Sequence, residues 1–222
     1  MKMTETSPGA SHEIKELKLL FEISRRLSEI LDLHDALKPV LPLMAEYLHI
    51  LRGSITILNR DTGEIFIDEA YGLLPEEQAR GRYRLGEGIT GQVIDTGREI
   101  VVPRISDEPQ FLDRTGARRN LDGRFVTFIC VPIKIGAEVI GALSVDRPYL
   151  EEFLCDRDVR LLSIIASCIS QAARLRQLAQ EEVATLKSEN RRLYDELTGK
   201  FGPQSIIGKS RPMLDVYELI DK

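Results

Sequence analysis

The chain has 222 residues, 43% of them hydrophobic, with 35 acids against 30 lysines and arginines and a formal net charge of −5. That length supports one or two domains with a real core, and the acidic balance excludes the basic footprint of a nucleic-acid binder. No apolar run reaches a membrane span, the polar stretch Met1–His12 has no signal-peptide segment, and the three cysteines (Cys130, Cys155, Cys168) lack metal spacing and fit a reducing, cytoplasmic setting.

Residues 1–12 are rich in Thr, Ser, Gly and Pro and are expected to be disordered. From Glu13 an amphipathic helix is expected with two apolar stripes. Ile14, Leu17, Phe21 and Leu31 form one, and Leu20, Ile23, Leu27 and Ile30 the other. Two stripes exceed what one core face needs, so one side is free for a partner. Asp32 is placed to cap a second helix over 33–50, which Pro39 and Pro42 should shorten or bend.

Arg52–Asn59 and Glu64–Tyr71 read as a hairpin turned by Asp61-Thr62-Gly63. Pro75 to Gly81 reads as a short helix with proline first, acids in the first turn and glycine at its end. Thr90–Thr96 reads as another, stopped by Gly97, and Ile100–Pro103 as a short strand. Residues 105–124 form a loop over the sheet. Strands at 125–135 and 138–146 are apolar on both faces, so both faces must be covered. The first and last helices cover one face. The loops and short helices between 73 and 124 cover the other less tightly, and a pocket belongs there.

From Asp156 one helix runs to Leu197. Its ladder is Leu161, Ile165, Cys168, Ala172, Leu175, Ala179, Val183, Leu186, Asn190, Leu193, Leu197, a heptad seam with a stutter near Ala179. Asn190 at an a position favours an in-register parallel dimer. Glu182 and Lys187 suit pairing between parallel chains, worth only ~0.2–1 kcal/mol when exposed. The expected dimer interface is Leu175, Val183, Leu186, Asn190, Leu193 and Leu197. A solvated single helix is the alternative. Thr198 to Pro203 should break the helix, and 204–222 start a new pattern that stops midway, as in a fragment of a longer protein.

Gly86-Glu-Gly-Ile-Thr-Gly91 matches G-x-G-x-x-G, but the preceding Arg82-Tyr-Arg-Leu is a poor buried strand, so a nucleotide fold is not expected. Free N–H groups at the start of the following helix still suit an anion. Gly208-Lys-Ser210 lacks the earlier glycine of a phosphate loop, since position 203 is proline. His12, His34 and His49 have no ligand spacing, so neither a metal nor a cofactor is expected. Arg104, Arg114, Arg118, Arg119 and Arg124 crowd the covering loop as a solvated face or as a clamp for a carboxylate, a phosphate or an acidic partner.

Leu85–Gly91, Ile100–Pro103, and Cys130-Val-Pro-Ile followed by Val139-Ile-Gly-Ala-Leu resemble the GAF family of sensory domains. Val102–Thr115 and Phe128–Lys134 are similar to the regulatory domain of NifA-like nitrogen-fixation activators, enhancer-binding proteins that work with sigma-54. Residues 205–222 resemble the opening of their AAA+ ATPase. The resemblance implies an α+β fold, a central antiparallel sheet of five or six strands with helices on both faces, followed by a coiled-coil helix. It divides the chain into a GAF domain at 13–175, a linker helix at 176–198, and a linker with a truncated AAA+ start at 199–222.

It further implies a non-enzymatic, cytoplasmic sensor that restrains or releases the ATPase in response to 2-oxoglutarate, a cyclic nucleotide or a regulatory protein. Contacts with sigma-54 polymerase and DNA would belong to the full-length protein, and none with a membrane is expected. The expected pocket residues are Thr90 and Gly91 at the helix start, Arg104 and Phe111 from the loop, and Phe128 and Cys130 from the sheet; Thr127 and Ile129 replace the last two if the strand presents its other face. Two alternatives remain: a sensor with a vestigial pocket read only by a protein partner, and a free methionine sulfoxide reductase, for which Cys155 and Cys168 lie on the wrong element.

Overall fold

A computed structural model describes residues 8–118, 126–149, 152–201, 210–212 and 216. Two compact units divide after Arg176. In chain order the elements are α1 (Pro8–Glu29), α2 (Leu33–Leu37), α3 (Val40–Leu48), β1 (Arg52–Asn59), β2 (Glu64–Tyr71), α4 (Pro75–Arg80), β3 (Arg82–Arg84), α5 (Gly88–Thr96), β4 (Ile100–Val102), a 3-10 turn (Ile105–Asp107), β5 (Val126–Ile135), β6 (Glu138–Pro148) and α6 (Glu152–Phe201).

Six antiparallel strands form one sheet in the order β3-β2-β1-β6-β5-β4. The chain-adjacent hairpins β1–β2 and β5–β6 make its middle. The long apolar strands are central because they alone are dry on both faces. One face packs Ile55, Ile129, Val131, Ile133, Leu143 and Val145 against α1, α3 and α6, with Leu19, Ile23, Met44, Leu162 and Ile165 opposite. The other carries Val126, Phe128, Cys130 and Ala142 beneath Ile89, Val93 and Ile94 of α5 and Ile105 of the loop. Two cores therefore lie back to back on one β-layer.

Local signals place the ends of these elements. Asp32 caps α2, its side chain accepting from the Asp35 N–H at 3.0 Å. Pro39 splits the expected 33–50 helix into α2 and α3, because proline interrupts the backbone ladder, while Pro42 is accommodated in the first turn of α3, where no backbone N–H is needed. Gly97 ends α5 with φ of 65°, where a side chain is disfavoured.

Three boundaries differ most from expectation. Helix α1 starts at Pro8, inside the stretch expected to be disordered, since proline suits a first helical turn. Helix α6 starts at Glu152 rather than Asp156. It also runs to Phe201, past the expected break at Thr198, because Gly199 inside a long helix costs only ~1 kcal/mol.

Helix α1 buries Leu19, Ile23 and Leu27, while Ile14, Leu17 and Phe21 stay exposed, Leu17 and Phe21 by about two thirds. Arg176 joins α6 to the end of α1. Its guanidinium donates to the carbonyls of Leu27 and Leu31, each at 2.8 Å, and to that of Ile30. Arg147, on the helix-facing side of β6, pairs with Asp158 near the start of α6. Within the second unit, Val183, Leu186, Asn190 and Leu193 are exposed along the helix. Leu175, the last of this seam in the first unit, is 68% exposed, and the side chain of Leu197 lies outside the described residues.

Candidate functional site: a charged cavity under the covering loop

The loop after β4 is strapped to the elements beside it. Arg80 of α4 donates from Nε and Nη2 to the Thr115 carbonyl at 3.0 and 2.6 Å. Gln92 of α5 donates to Gln110 at 2.7 Å, and Arg114 pairs with Glu87 at the turn before α5. Asp113 folds the tip of the loop, accepting from the Arg118 backbone N–H at 3.2 Å.

So held, the loop drives Phe111 and Arg118 onto the sheet. The rings of Phe111 and Phe128 meet edge to face at 5.1 Å. The Arg118 guanidinium lies over both, 4.8 Å from the Phe111 centroid and 5.5 Å from that of Phe128, and such contacts are strongest away from water. Arg118 donates from Nε and Nη2 to the two oxygens of Asp146, each at 2.7 Å, a bidentate pair. Asp146 has no exposed side-chain surface and Arg118 keeps 13%. Burial works against the Arg118 charge, yet Asp146 and Asp113 together hold its pKa above the ordinary value.

Behind this pair a cavity of about 30 Å³ remains, lined by Arg52, Ser54, Tyr83, Thr90, Phe111 and Ser144 among others. That is room for about two waters. Ser54 and Ser144 bridge β1 and β6 hydroxyl to hydroxyl at 2.7 Å. Burial pushes the Tyr83 phenol up, against a smaller opposing pull from Arg118.

Of the six residues expected to line the pocket, Thr90, Phe111 and Phe128 do so. Cys130 lies on the same strand face but within the packed core, fully buried. Burial pushes its thiol up to about 12, against a small lowering by Thr90, so it carries no thiolate near neutrality. Two others sit apart from the cavity. Arg104 points outward, half exposed, stacked on Tyr149 at 4.8 Å and away from the cavity, because the 3-10 turn that follows diverts the chain. Gly91 serves packing instead: a Cβ there would lie 2.4 Å from the Arg84 carbonyl. Of the alternative pair, Ile129 packs on the helix side, and Thr127 donates to the Pro103 carbonyl at 2.8 Å. Arg119 and Arg124 lie outside the described residues.

Sequence reasoning missed Arg52, Ser54, Ser144 and Asp146. One signal was available: Asp146 ends an apolar strand dry on both faces, and such a buried carboxylate demands a cation. The crowded arginines of the loop supply it. A smaller cluster lies elsewhere on the sheet. A bulge leaves Asp68 unpaired between the Ile55–Glu69 and Thr56–Ile67 positions. Neighbouring Asp68 and Glu69 both reach His34, at 3.3 and 3.4 Å.

The GAF domain model matches residues 32–173. The chain is 45% identical over 207 residues, 93% of its length, to the nitrogen fixation protein VnfA of Azotobacter vinelandii. It is 38% identical over 203 residues, 91% of its length, to the Nif-specific regulatory protein of Herbaspirillum seropedicae. It spans 40% and 37% of those two relatives. Among solved structures, the A. aeolicus nlh2 GAF domain in an inactive state superposes with a TM-score of 0.68 at 26% identity, over 74% of this chain and 99% of that one.

Proposed function

The chain belongs to the GAF family, and on that premise we propose that it is the signal-sensing regulatory part of a NifA-like, sigma-54-dependent transcription activator. The observation that carries this reading is the strapped loop with a buried ion pair over a polar, aromatic cavity, in a chain similar to a Nif-specific regulatory protein. A small-molecule effector such as 2-oxoglutarate, or a cyclic nucleotide, enters by displacing the loop's side chains. Of the expected site residues, Thr90, Phe111 and Phe128 would touch it; Gly91, Arg104 and Cys130 would act at a remove. The protein works in the cytoplasm, and its output is the state of α6.

Two copies pair in parallel through Leu175, Val183, Leu186, Asn190, Leu193 and Leu197. The exposure of the described seam residues in a single chain supports this pairing. In the longer protein that pair would control the AAA+ ATPase, which meets sigma-54 polymerase. Effector binding shifts an existing two-state equilibrium. Moving it from 1:99 to 99:1 takes about 5.5 kcal/mol of differential affinity.

A second reading has one observation in its favour. The cavity is too small for a metabolite as it stands, as in a sensor addressed only by a regulatory protein. Calorimetry with 2-oxoglutarate and cyclic nucleotides separates the two. Disulfide crosslinking from single cysteines at Val183 and Leu186 tests the output. Patterns that change with the effector support the sensor; identical patterns with and without bound effector refute it. No thiolate chemistry enters either reading, since the Cys130 thiol is buried in the packed core and held protonated.

A further inference from the structure

Two guanidinium groups and one carboxylate share the cavity. Asp146 stands between the two cations. It accepts both 2.7 Å bonds from Arg118, and its Oδ2 lies 3.8 Å from Arg52 Nη1, an ion pair too long for a hydrogen bond. Arg52 Nε and Nη1 are buried without a hydrogen-bond partner among the described residues, and such groups are costly to leave unpaired. Asp113 adds a second negative charge at the rim, but it serves Arg118, at 3.3 Å. The interior is one anion short, and the shortage falls on Arg52.

The backbone makes exchange easy. Arg52 and Asp146 are direct cross-strand neighbours on β1 and β6. A side-chain rotation at Asp146 swaps Arg118 for Arg52 without a change of register.

Resting on the sensor reading above, we propose that the cavity takes a small oxyanion, a carboxylate or phosphate group, which replaces Asp146 on the Arg118 fork while Asp146 turns to Arg52. Each guanidinium then has its own anion. Only an anionic ligand balances the interior, and the planar fork of Arg118 offers it two parallel donors. Ser54 and Ser144 line the same space, and the one hydroxyl proton not spent on their mutual bond is a further donor. About 30 Å³ leaves no room for a ligand beside the ion pair, so binding proceeds by displacement. Asp146 is thus an internal competitor that sets the concentration at which the sensor responds.

Titration calorimetry of the full chain with succinate, inorganic phosphate and neutral succinamide reads the exchange. The expected result is heat from an oxyanion and none from succinamide; the stronger of succinate and phosphate identifies the acidic group. Arg52→Gln removes the group that receives Asp146 and weakens oxyanion binding at least about tenfold. Asp146→Asn removes the competitor and tightens it at least about tenfold. If Asp146→Asn lowers folding, its melting temperature should rise with added oxyanion and not with succinamide.

Equal binding of succinamide, unchanged affinity in both variants, or no oxyanion binding to either wild type or Asp146→Asn overturns the proposal. A cationic or neutral compound that binds regardless of Arg52 and Asp146 overturns the exchange and leaves the sensor intact. Oxyanion binding with the expected variant effects but an unaltered Val183 crosslinking pattern does the reverse.

Discussion

Replacing Arg176 by alanine removes the clasp between α6 and the end of α1. A helix ends with carbonyls that lack intrahelical partners, and Arg176 serves those of Leu27, Ile30 and Leu31. A hydrogen bond from a charged donor is worth about 1.5–3 kcal/mol when buried. Arg176 is partly exposed, and water substitutes for part of that, leaving about 0.5–1 kcal/mol for each bond. The positive charge at a helix C-terminus adds roughly 0.3–1 kcal/mol.

The expected loss is therefore about 2–4 kcal/mol, a fall in melting temperature of about 4–16 °C for a chain of this size. Urea unfolding at fixed protein concentration measures it, since any association would shift the midpoint by mass action. Arg176→Lys keeps the charge but not the fork and should lose about half as much. If both variants stay within about 0.5 kcal/mol of wild type, the clasp holds nothing and α1 is fixed to α6 by its apolar face alone.

Ile129→Ala empties a fully buried site on the helix face of β5 and should cost about 3–4 kcal/mol with an unchanged denaturant slope; a loss under 1 would mean that the core refills. Gly141→Ala should cost about 2 kcal/mol or more by urea unfolding, because the new Cβ would sit 2.1 Å from the Thr56 carbonyl, which is backbone and cannot swing aside; a neutral variant would refute that closeness. Cys130 should resist alkylation in the folded chain at pH 8, and rapid native labelling would contradict its burial. Its raised pKa also carries a pH dependence. Above the unfolded thiol's ordinary value the unfolded chain gives up the proton and the folded chain keeps it, so stability falls as pH climbs toward about 12. Cys130→Ala should flatten that part of the profile.

Elements announced by local chemistry were legible in the sequence. The hairpin follows from alternation around Asp61-Thr62-Gly63, α5 from the stop at Gly97, and the doubly covered strands from their unbroken apolar runs. The phase of β5 was not legible, because alternation gives two faces and no sign. Only packing against α6 sends Ile129 one way and Phe128 the other. The covering loop was readable as a cluster of arginines, but their roles depend on single turns. The 3-10 turn sends Arg104 outward, and Asp113 folds Arg118 inward. The partner of Arg118 lies 28 residues on, at Asp146, and Arg52 joins them only through the pairing of β1 with β6. No periodicity links such positions.

The pairing of Arg147 with Asp158 limits how this domain can be reused. Asp146 and Arg147 are consecutive on one strand, so the first looks into the cavity and the second toward the root of α6. Arg147 Nε is already buried without a hydrogen-bond partner among the described residues. Any foreign helix spliced on here must bring an acid at the position of Asp158, or it leaves a shielded cation one peptide bond from the carboxylate that holds Arg118.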